Sequence, residues 1–291
     1  MKKALCLLNA YVQTEGPLYF YKRMKEELLR YDILLERKTN AEILTYIDSE
    51  GNARSRLGNY SFVLYLDKDL YVSFLLEKLG YKLFNSANSI RLCDDKMLTH
   101  LALADHGIKM PKTITAPLNY SAIISDEFIQ NLETELSFPF VAKENFGSLG
   151  KNVFLIRKHE ELIEFEKNHY QNPRLYQEFI ASSKGFDYRV IVIGGVVKAA
   201  MKRVNKNDWR SNIAQKGHGE KTILPPSYAQ MAEKAATLLD LDYCGIDILE
   251  GPDKEPILCE VNSNAFLTGI EATTKINVAG SYAAQIVSKI N

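Results

Sequence analysis

Two apolar segments near the C-terminus carry polar groups where a core would be expected: Gly245-Ile246-Asp247-Ile248-Leu249 and Leu258-Cys259-Glu260-Val261-Asn262. Both read as strands. β-Branched and leucine side chains flank the polar groups, and Gly251-Pro252-Asp253-Lys254 supplies the connection of a hairpin. Side chains alternate faces along a strand, so Glu260 and Asn262 point one way while Cys259 and Val261 point the other. Asp247 can face the same spot from the neighbouring strand. Two bare carboxylates in such a place would repel each other and lose their hydration, and a divalent cation removes both costs. Asp247, Glu260 and Asn262 together make the all-oxygen set that holds magnesium against a nucleotide's phosphates.

Composition narrows the rest. The 291 residues leave room for two or three compact units, with 46% hydrophobic and 25% charged residues. Lys plus Arg number 36 and Asp plus Glu number 36, so no net field draws the chain to DNA or to a membrane surface. Cys6, Cys93, Cys244 and Cys259 are scattered without CxxC or Cys/His spacing, which suits a reduced, cytoplasmic compartment. Met1-Lys2-Lys3 and the short apolar run after it stop at Asn9 and read as a first strand, not a leader. No stretch approaches the ~20 apolar residues of a membrane span.

Along the first third, strands at Lys3–Leu8 and Phe62–Leu66 alternate with helices at Pro17–Leu29 and Val72–Leu79, an open α/β pattern without a GxGxxG turn. Asn85–Ile90 reads as a loop, and one helix is expected from about Asp94 to His106, ended by Gly107. A helix within 126–135 precedes strands Phe138–Lys143 and Asn152–Ile156, a helix Glu160–Asn168 and a strand Leu175–Ile180. The pattern then turns antiparallel, with strands Arg189–Ile193 and Val196–Met201 joined by Gly194-Gly195. Trp209–Lys221 reads as a polar loop. Helices at Tyr228–Leu239 and Val278–Ile290 flank the opening hairpin.

Several residues along this order suit phosphate chemistry, each with a plainer alternative. Gly147-Ser148-Leu149-Gly150-Lys151 between two strands is either a flexible hairpin tip or a set of backbone N–H groups and a cation for phosphate oxygens. Lys143 closes an apolar strand, where an ammonium either seeks an anion or snorkels to water. Lys96 follows Asp94-Asp95 and taken alone is a solvated helix-start charge. Gln177-Glu178-Phe179-Ile180 ends a strand and can offer backbone groups to an adenine edge; Asp187 beyond it can accept from a ribose or close a turn. Arg189, Arg203 and Arg210 carry forks suited to carboxylate or phosphate, or to surface ion pairs. Asn212 sits in a loop that reads as substrate-facing. Of the five histidines, His100, His106, His159 and His169 read as surface, and His218 alone is placed to meet substrate.

In this order (lysine, apolar strand with lysine, glycine-rich loop, strand-end hinge, hairpin arginines, then Asp…Glu-x-Asn) the chain resembles the ATP-grasp superfamily, and most closely its RimK-type amino-acid ligases. The resemblance runs from Asn85 to the C-terminus. It implies an α/β (α+β) ATP-grasp fold: an N-terminal open α/β domain (1–93), a small central lid domain (94–180) and a C-terminal antiparallel domain (181–291). It implies an ATP-dependent carboxylate–amine ligase that forms an amide through an acylphosphate, joining an amino acid such as glutamate to a small molecule, peptide or protein tail. Carried over by position, Lys96 and Lys143 would hold phosphates under the loop Gly147 to Lys151. Glu178 to Ile180 would meet adenine, and Asp187 the ribose. Asp247, Glu260 and Asn262 would hold magnesium or manganese. Arg203 and Arg210 would bind the acceptor carboxylate or acylphosphate, with Asn212 in that pocket. The chain departs from the pattern at Ser263-Asn264-Ala265-Phe266-Leu267 and at Gly217-His218-Gly219, both on the acceptor side. The alternatives are an ATP-grasp ligase acting on a ribosomal peptide or on free amino acids, and a non-catalytic nucleotide-binding module. The partners implied are ATP, a carboxylate donor and an amine acceptor; a homo-oligomer stays open.

Overall fold

The structure is a computed structural model that describes residues 1–12, 14–148, 150, 152–211 and 217–290. Its first part runs β1 (Lys2–Leu8), α1 (Glu15–Leu29), β2 (Ile33–Thr39), α2 (Asn40–Ile43), β3 (Thr45–Ile47), β4 (Ala53–Ser55), β5 (Val63–Leu66), α3 (Leu70–Lys78) and β6 (Leu83–Phe84). Four of these strands form a parallel sheet in the order β2-β1-β5-β6, and β3 with β4 makes a small antiparallel pair. The apolar runs Ala4–Leu8 and Phe62–Tyr65 are buried on both faces, as a parallel sheet covered by helices requires. β2 escapes the sequence reading because Glu36, Arg37 and Lys38 break its apolar run at a sheet edge.

Next come α4 (Ala87–Asp94), α5 (Lys96–Leu103), β7 (Thr113–Thr115), α6 (Asp126–Glu135), β8 (Phe140–Glu144), β9 (Val153–Ile156), α7 (His159–His169) and β10 (Arg174–Glu178). The loop expected at Asn85–Ile90 is mostly the first turn of α4, capped by Ser86, whose side chain accepts from the Ser89 N–H. The helix expected from about Asp94 to His106 is α5, which runs Lys96–Leu103 and follows α4 directly. Asp95 leaves helical geometry (φ −88°, ψ 109°), and its carboxylate accepts from Met97 N and Leu98 N to start α5. Strands β7, β10, β8 and β9 form a second, antiparallel sheet in that order.

The last part holds β11 (Phe186–Ile193), β12 (Val196–Val204), β13 (His218–Lys221), α8 (Pro226–Leu238), β14 (Tyr243–Glu250), β15 (Pro256–Asn262), α9 (Leu267–Thr274) and α10 (Val278–Ile290). The strands make a third sheet, antiparallel throughout, ordered β13-β12-β11-β14-β15. The end of the expected polar loop is β13, which pairs with Met201–Val204. Helices α1, α9 and α10 pack the first and third sheets into one core through Phe20, Tyr243 and Tyr282. Gly245 lies where that packing is tight: a Cβ there would meet the Ala265 Cβ at 2.4 Å.

Asn85 stitches the first sheet to the third. Its amide donates to the carbonyls of Tyr243 (2.8 Å) and Ser263 (2.9 Å) and accepts from the N–H groups of Asp242 (2.7 Å) and Tyr243 (3.1 Å). Asn85 is 1% exposed, so removing its amide leaves these backbone groups buried with their side-chain partner lost. Asn85→Ala should therefore lower unfolding stability by roughly 3 kcal/mol or more, as measured by urea denaturation. A loss under about 1 kcal/mol would mean the stitch is dispensable.

Candidate active site

One cleft, with a volume of ≈ 960 Å³ that includes open solvent at its mouth, lies where the second and third sheets meet α5. From the second sheet and its loops it is lined by Lys143, Gly147, Ser148, Gly150 and the strand-end run Gln177, Glu178, Phe179 and Ile180. The third sheet adds Asp187, Arg203, Asp247 and Glu260; α5 adds Lys96, and the segment after β12 adds Arg210. Among the described candidates three do not line this cleft: Arg189, His218, and Asn262, which is two residue pairs further along the hairpin than Glu260, opposite Gly245. Leu149, Lys151 and Asn212 lie outside the described residues.

The floor is a row of charges laid across strands. Register sets Asp187 opposite Arg203, Arg189 opposite Asp247, and Asp247 opposite Glu260. Arg203 grips both Oδ atoms of Asp187 and reaches Asp247 Oδ2 at 2.9 Å; Arg189 holds Asp247 at 2.5 and 2.9 Å. Burial pushes the Asp247 carboxyl up, but Arg189 and Arg203 outweigh it and hold the group below the usual carboxylate range. Asp247 and Asp187 are therefore engaged by arginine. Glu260 has no hydrogen bond or ion pair among the described residues, and the Asn262 Nδ2 is a buried donor without a partner among them.

The expected strict alternation on β15 fails at one place. The β14–β15 register slips between Asp247 and Ile248, so Asp247 faces Glu260 while Ile248 faces Leu258. Cys259 is the extra residue of this bulge and lines the cleft beside Glu260 instead of pointing away. Burial pushes its thiol up to about 11, so it stays protonated at neutral pH.

Opposite the floor sit two ammonium groups. Lys143 is 6% exposed and has no hydrogen bond or ion pair among the described residues. Lys96 donates to the carbonyls of Asn145 (3.2 Å) and Gly147 (3.1 Å), and Asn145 in turn donates to Asp95 (3.0 Å). Burial lowers the Lys96 pKa, Lys143 and Lys68 lower it further, and Glu260 opposes them. Asp95, quoted with Lys96 in the sequence but given no role there, thus ties the start of α5 to Asn145, just before the glycine segment.

Two more expectations change. His100 is buried, not on the surface: its Nε2 lies 2.8 Å from Gln177 Nε2, and burial with Lys143 nearby pushes its pKa down to about 3. Gln177 also donates to Thr113 Oγ1 at 2.8 Å, so its amide is used beneath the hinge. Arg210 is forked on Asp208 and donates to the Gly150 carbonyl at 2.7 Å, clasping the glycine segment from the third sheet's side. The segment carrying Arg210 is folded back on Gly185, which adopts φ +77° and sits 2.9 Å from the Trp209 carbonyl; a Cβ would strike the Asn205 carbonyl at 2.7 Å. Trp209 meets Phe179 edge-on at 5.8 Å over the strand-end run. His218 is exposed and pairs with Glu220 at 2.9 Å.

Among the described residues no three His, Cys, Asp or Glu side chains converge as a metal-holding group. The candidate set instead comprises two carboxylates and an amide. Among the described residues, too, no helix is long and apolar enough to cross a membrane.

A second and a third antiparallel sheet enclosing one cleft are the arrangement of the ATP-grasp fold, which the solved relatives share. The ligase PsnB, solved with a minimal precursor, magnesium and ADP, superposes with a TM-score of 0.69 over 99% of this chain and 98% of its own, at 16% identity. A family model described as the RimK-like ATP-grasp domain matches residues 93–286, and the chain belongs to that family. An uncharacterised protein of Mycoplasma genitalium is 33% identical over 222 residues, 75% of this chain and 77% of that one. Human beta-citrylglutamate synthase B is 32% identical over 228 residues, 76% of this chain and 58% of the longer enzyme. The protein is an ATP-dependent ligase that forms carbon–nitrogen bonds.

The Lys96 ammonium costs folding energy that only an anion can offset. Charged in the unfolded chain at neutral pH, it carries a burial cost that is full below its lowered folded value and fades as pH rises through that value toward 10.5. Lys96→Met should therefore melt no lower than wild type at pH 7, while losing most of the thermal shift that ATP gives. The stability difference should shrink in alkaline buffer. A drop of many degrees at pH 7 with the ATP shift intact would contradict this.

Proposed function

We propose that the protein joins glutamate, through its α-amine, to the carboxylate of a small acidic metabolite or peptide at the expense of ATP. The observation that carries this is the pairing in one cleft of two under-compensated ammonium groups, Lys96 and Lys143, with the unpaired carboxylate of Glu260. A triphosphate and its cation are complementary to that arrangement. The choice of glutamate is supported by the name of the human relative, beta-citrylglutamate synthase B.

In this reading Lys143 and Lys96 bind phosphate oxygens, and the backbone of Gly147, Ser148 and Gly150 covers them. Backbone groups of Glu178 to Ile180 receive the adenine edge under Trp209, while Asp187 serves the ribose side and at the same time aims Arg203. Glu260, which has no ion pair among the described residues, would hold magnesium with Asp247 shared against its arginines, and Asn262 further along the hairpin would supply the third oxygen of the expected set. Bound there, magnesium neutralises charge on the transferring phosphate and aligns it. The donor carboxylate oxygen attacks the γ-phosphorus, breaking the bond to the β-phosphate oxygen and releasing ADP. The amine nitrogen then attacks the acyl carbon, phosphate leaves with the C–O bond pair, and the amine proton passes to solvent or phosphate. Phosphoryl transfer of this kind needs alignment and charge stabilisation, not a protein nucleophile. Arg203 and Arg210 would bind the acceptor carboxylate or the acylphosphate; Asn212, expected in the same pocket, lies outside the described residues. The units 1–93, 94–180 and 181–291 then act as substrate base, lid and nucleotide floor, in the reduced cytoplasm that four free thiols suit.

Incubating the protein with magnesium-ATP, a set of carboxylic acids and each amino acid in turn tests this. ADP release and a product mass equal to the two substrates less water are expected with glutamate. ADP release that depends on another amino acid, with none for glutamate, would overturn the substrate reading.

A further inference from the structure

The phosphate end of the cleft is touched by a cation from outside the family match, which begins at residue 93. Lys68 follows β5 in the first sheet. Its Nζ is 2.7 Å from Asp94 Oδ1 and donates to Ser148 Oγ at 3.2 Å. The position has a topological cause. Strand order in the first sheet reverses between β1 and β5, so the loops after these strands diverge, and residues beyond the carboxyl ends face a crevice. Lys68 stands on the second of those loops, and Ser148 lines the nucleotide cleft.

The neighbours of Ser148 are held by other parts of the chain: the Gly147 carbonyl by Lys96 and the Gly150 carbonyl by Arg210. Ser148 is thus the point where the first sheet takes hold of the glycine segment. A lysine–serine bond alone would be weak on a side chain 35% exposed. Asp94, 14% exposed at the end of α4, fixes the lysine in place. With one lone pair of Ser148 Oγ accepting from Lys68, the hydroxyl proton is turned to donate elsewhere, and the chain Asp94 to Lys68 to Ser148 polarises it as a donor.

We propose that Lys68 is a positioning residue of the nucleotide site, orienting the Ser148 hydroxyl to donate to a phosphate oxygen of the bound triphosphate. This rests on reading the cleft as an ATP site. It adds a determinant from the first sheet, outside the region that the family match covers.

Calorimetry with magnesium and the non-hydrolysable analogue AMPPNP tests it on wild type, Lys68→Ala, Ser148→Ala and the double variant. Each single change should weaken binding roughly 5- to 10-fold, and the double variant should bind no more weakly than either single, because both remove the same contact. Lys68→Arg should keep affinity within about threefold, since a guanidinium can also bridge Asp94 and the hydroxyl. Unchanged affinity in Lys68→Ala, or losses that multiply in the double variant, would overturn the proposal. Recovery of affinity in Lys68→Ala/Asp94→Asn would also overturn it, by tracing the loss to a stranded Asp94 charge. Thermal melts without nucleotide check folding; Lys68→Met, which keeps the apolar stem, replaces Lys68→Ala if the latter does not fold. Wild type failing to bind AMPPNP would instead remove the ATP reading on which the proposal stands.

Discussion

The ion network across β11, β12 and β14 is the constraint on which the site depends. Arg189 and Arg203 neutralise Asp187 and Asp247 inside a sheet, at exposures of a few per cent for three of the four. Buried pairs of this sort seldom add stability over apolar packing, because desolvation offsets the attraction. Their effect here is on shape and charge. They make a rigid, nearly neutral floor, and they leave Glu260, Lys96 and Lys143 as the charges in the cleft whose compensation is incomplete. The division between satisfied and unsatisfied charge falls between neighbouring residues of one hairpin: Asp247 is held twice, and Glu260 opposite it is not held by any described residue.

The glycine segment is the second meeting point. Lys96 from α5, Arg210 from the segment after β12 and Lys68 from the first sheet each bond a different one of its residues. A glycine-rich connection has little internal preference for one conformation. Its position over the cleft is therefore set from outside, by three cations that are themselves suited to phosphate. The hinge on the far side is set differently, by buried neutral groups: His100, Gln177 and Thr113 bond beneath the strand end, and Trp209 folds over it. One end of the cleft is lined by charged groups and the other by packed neutral ones, which suits a ligand with a charged tail and a flat aromatic head.

Much of this was legible in the sequence, because strand alternation and residue order carry it. The hairpin with Asp247 and Glu260, the lysine closing β8 and the strand-end run at Gln177 all reach one cleft. What escaped depends on pairing between distant segments. The bulge that turns Cys259 inward follows from β14–β15 register, which alternation cannot reveal. Helix α4 was read partly as a loop because Asn85, Ser86, Asn88 and Ser89 look like turn residues, and only the Ser86 cap shows that they start a helix. His100 looked like a surface residue because a polar ring on a helix is usually solvated; burial beneath the hinge, with Lys143 near, is a tertiary fact. Lys68 lacked any local signal, since its partners lie 26 and 80 residues away.

In this reading the cleft holds a triphosphate because neither Lys96 nor Lys143 makes an ion pair with a carboxylate among the described residues, and Glu260 only partly offsets the cost of burying Lys96. Titrating magnesium-ATP into wild type and Lys143→Ala by calorimetry tests this most directly, since Lys143 is buried and has no ion pair among the described residues. The account predicts that the variant folds at least as stably as wild type without nucleotide, and that its ATP affinity falls by roughly 100-fold, as expected for losing a charge-assisted contact in a desolvated site. Equal ATP affinity in the two proteins would contradict it.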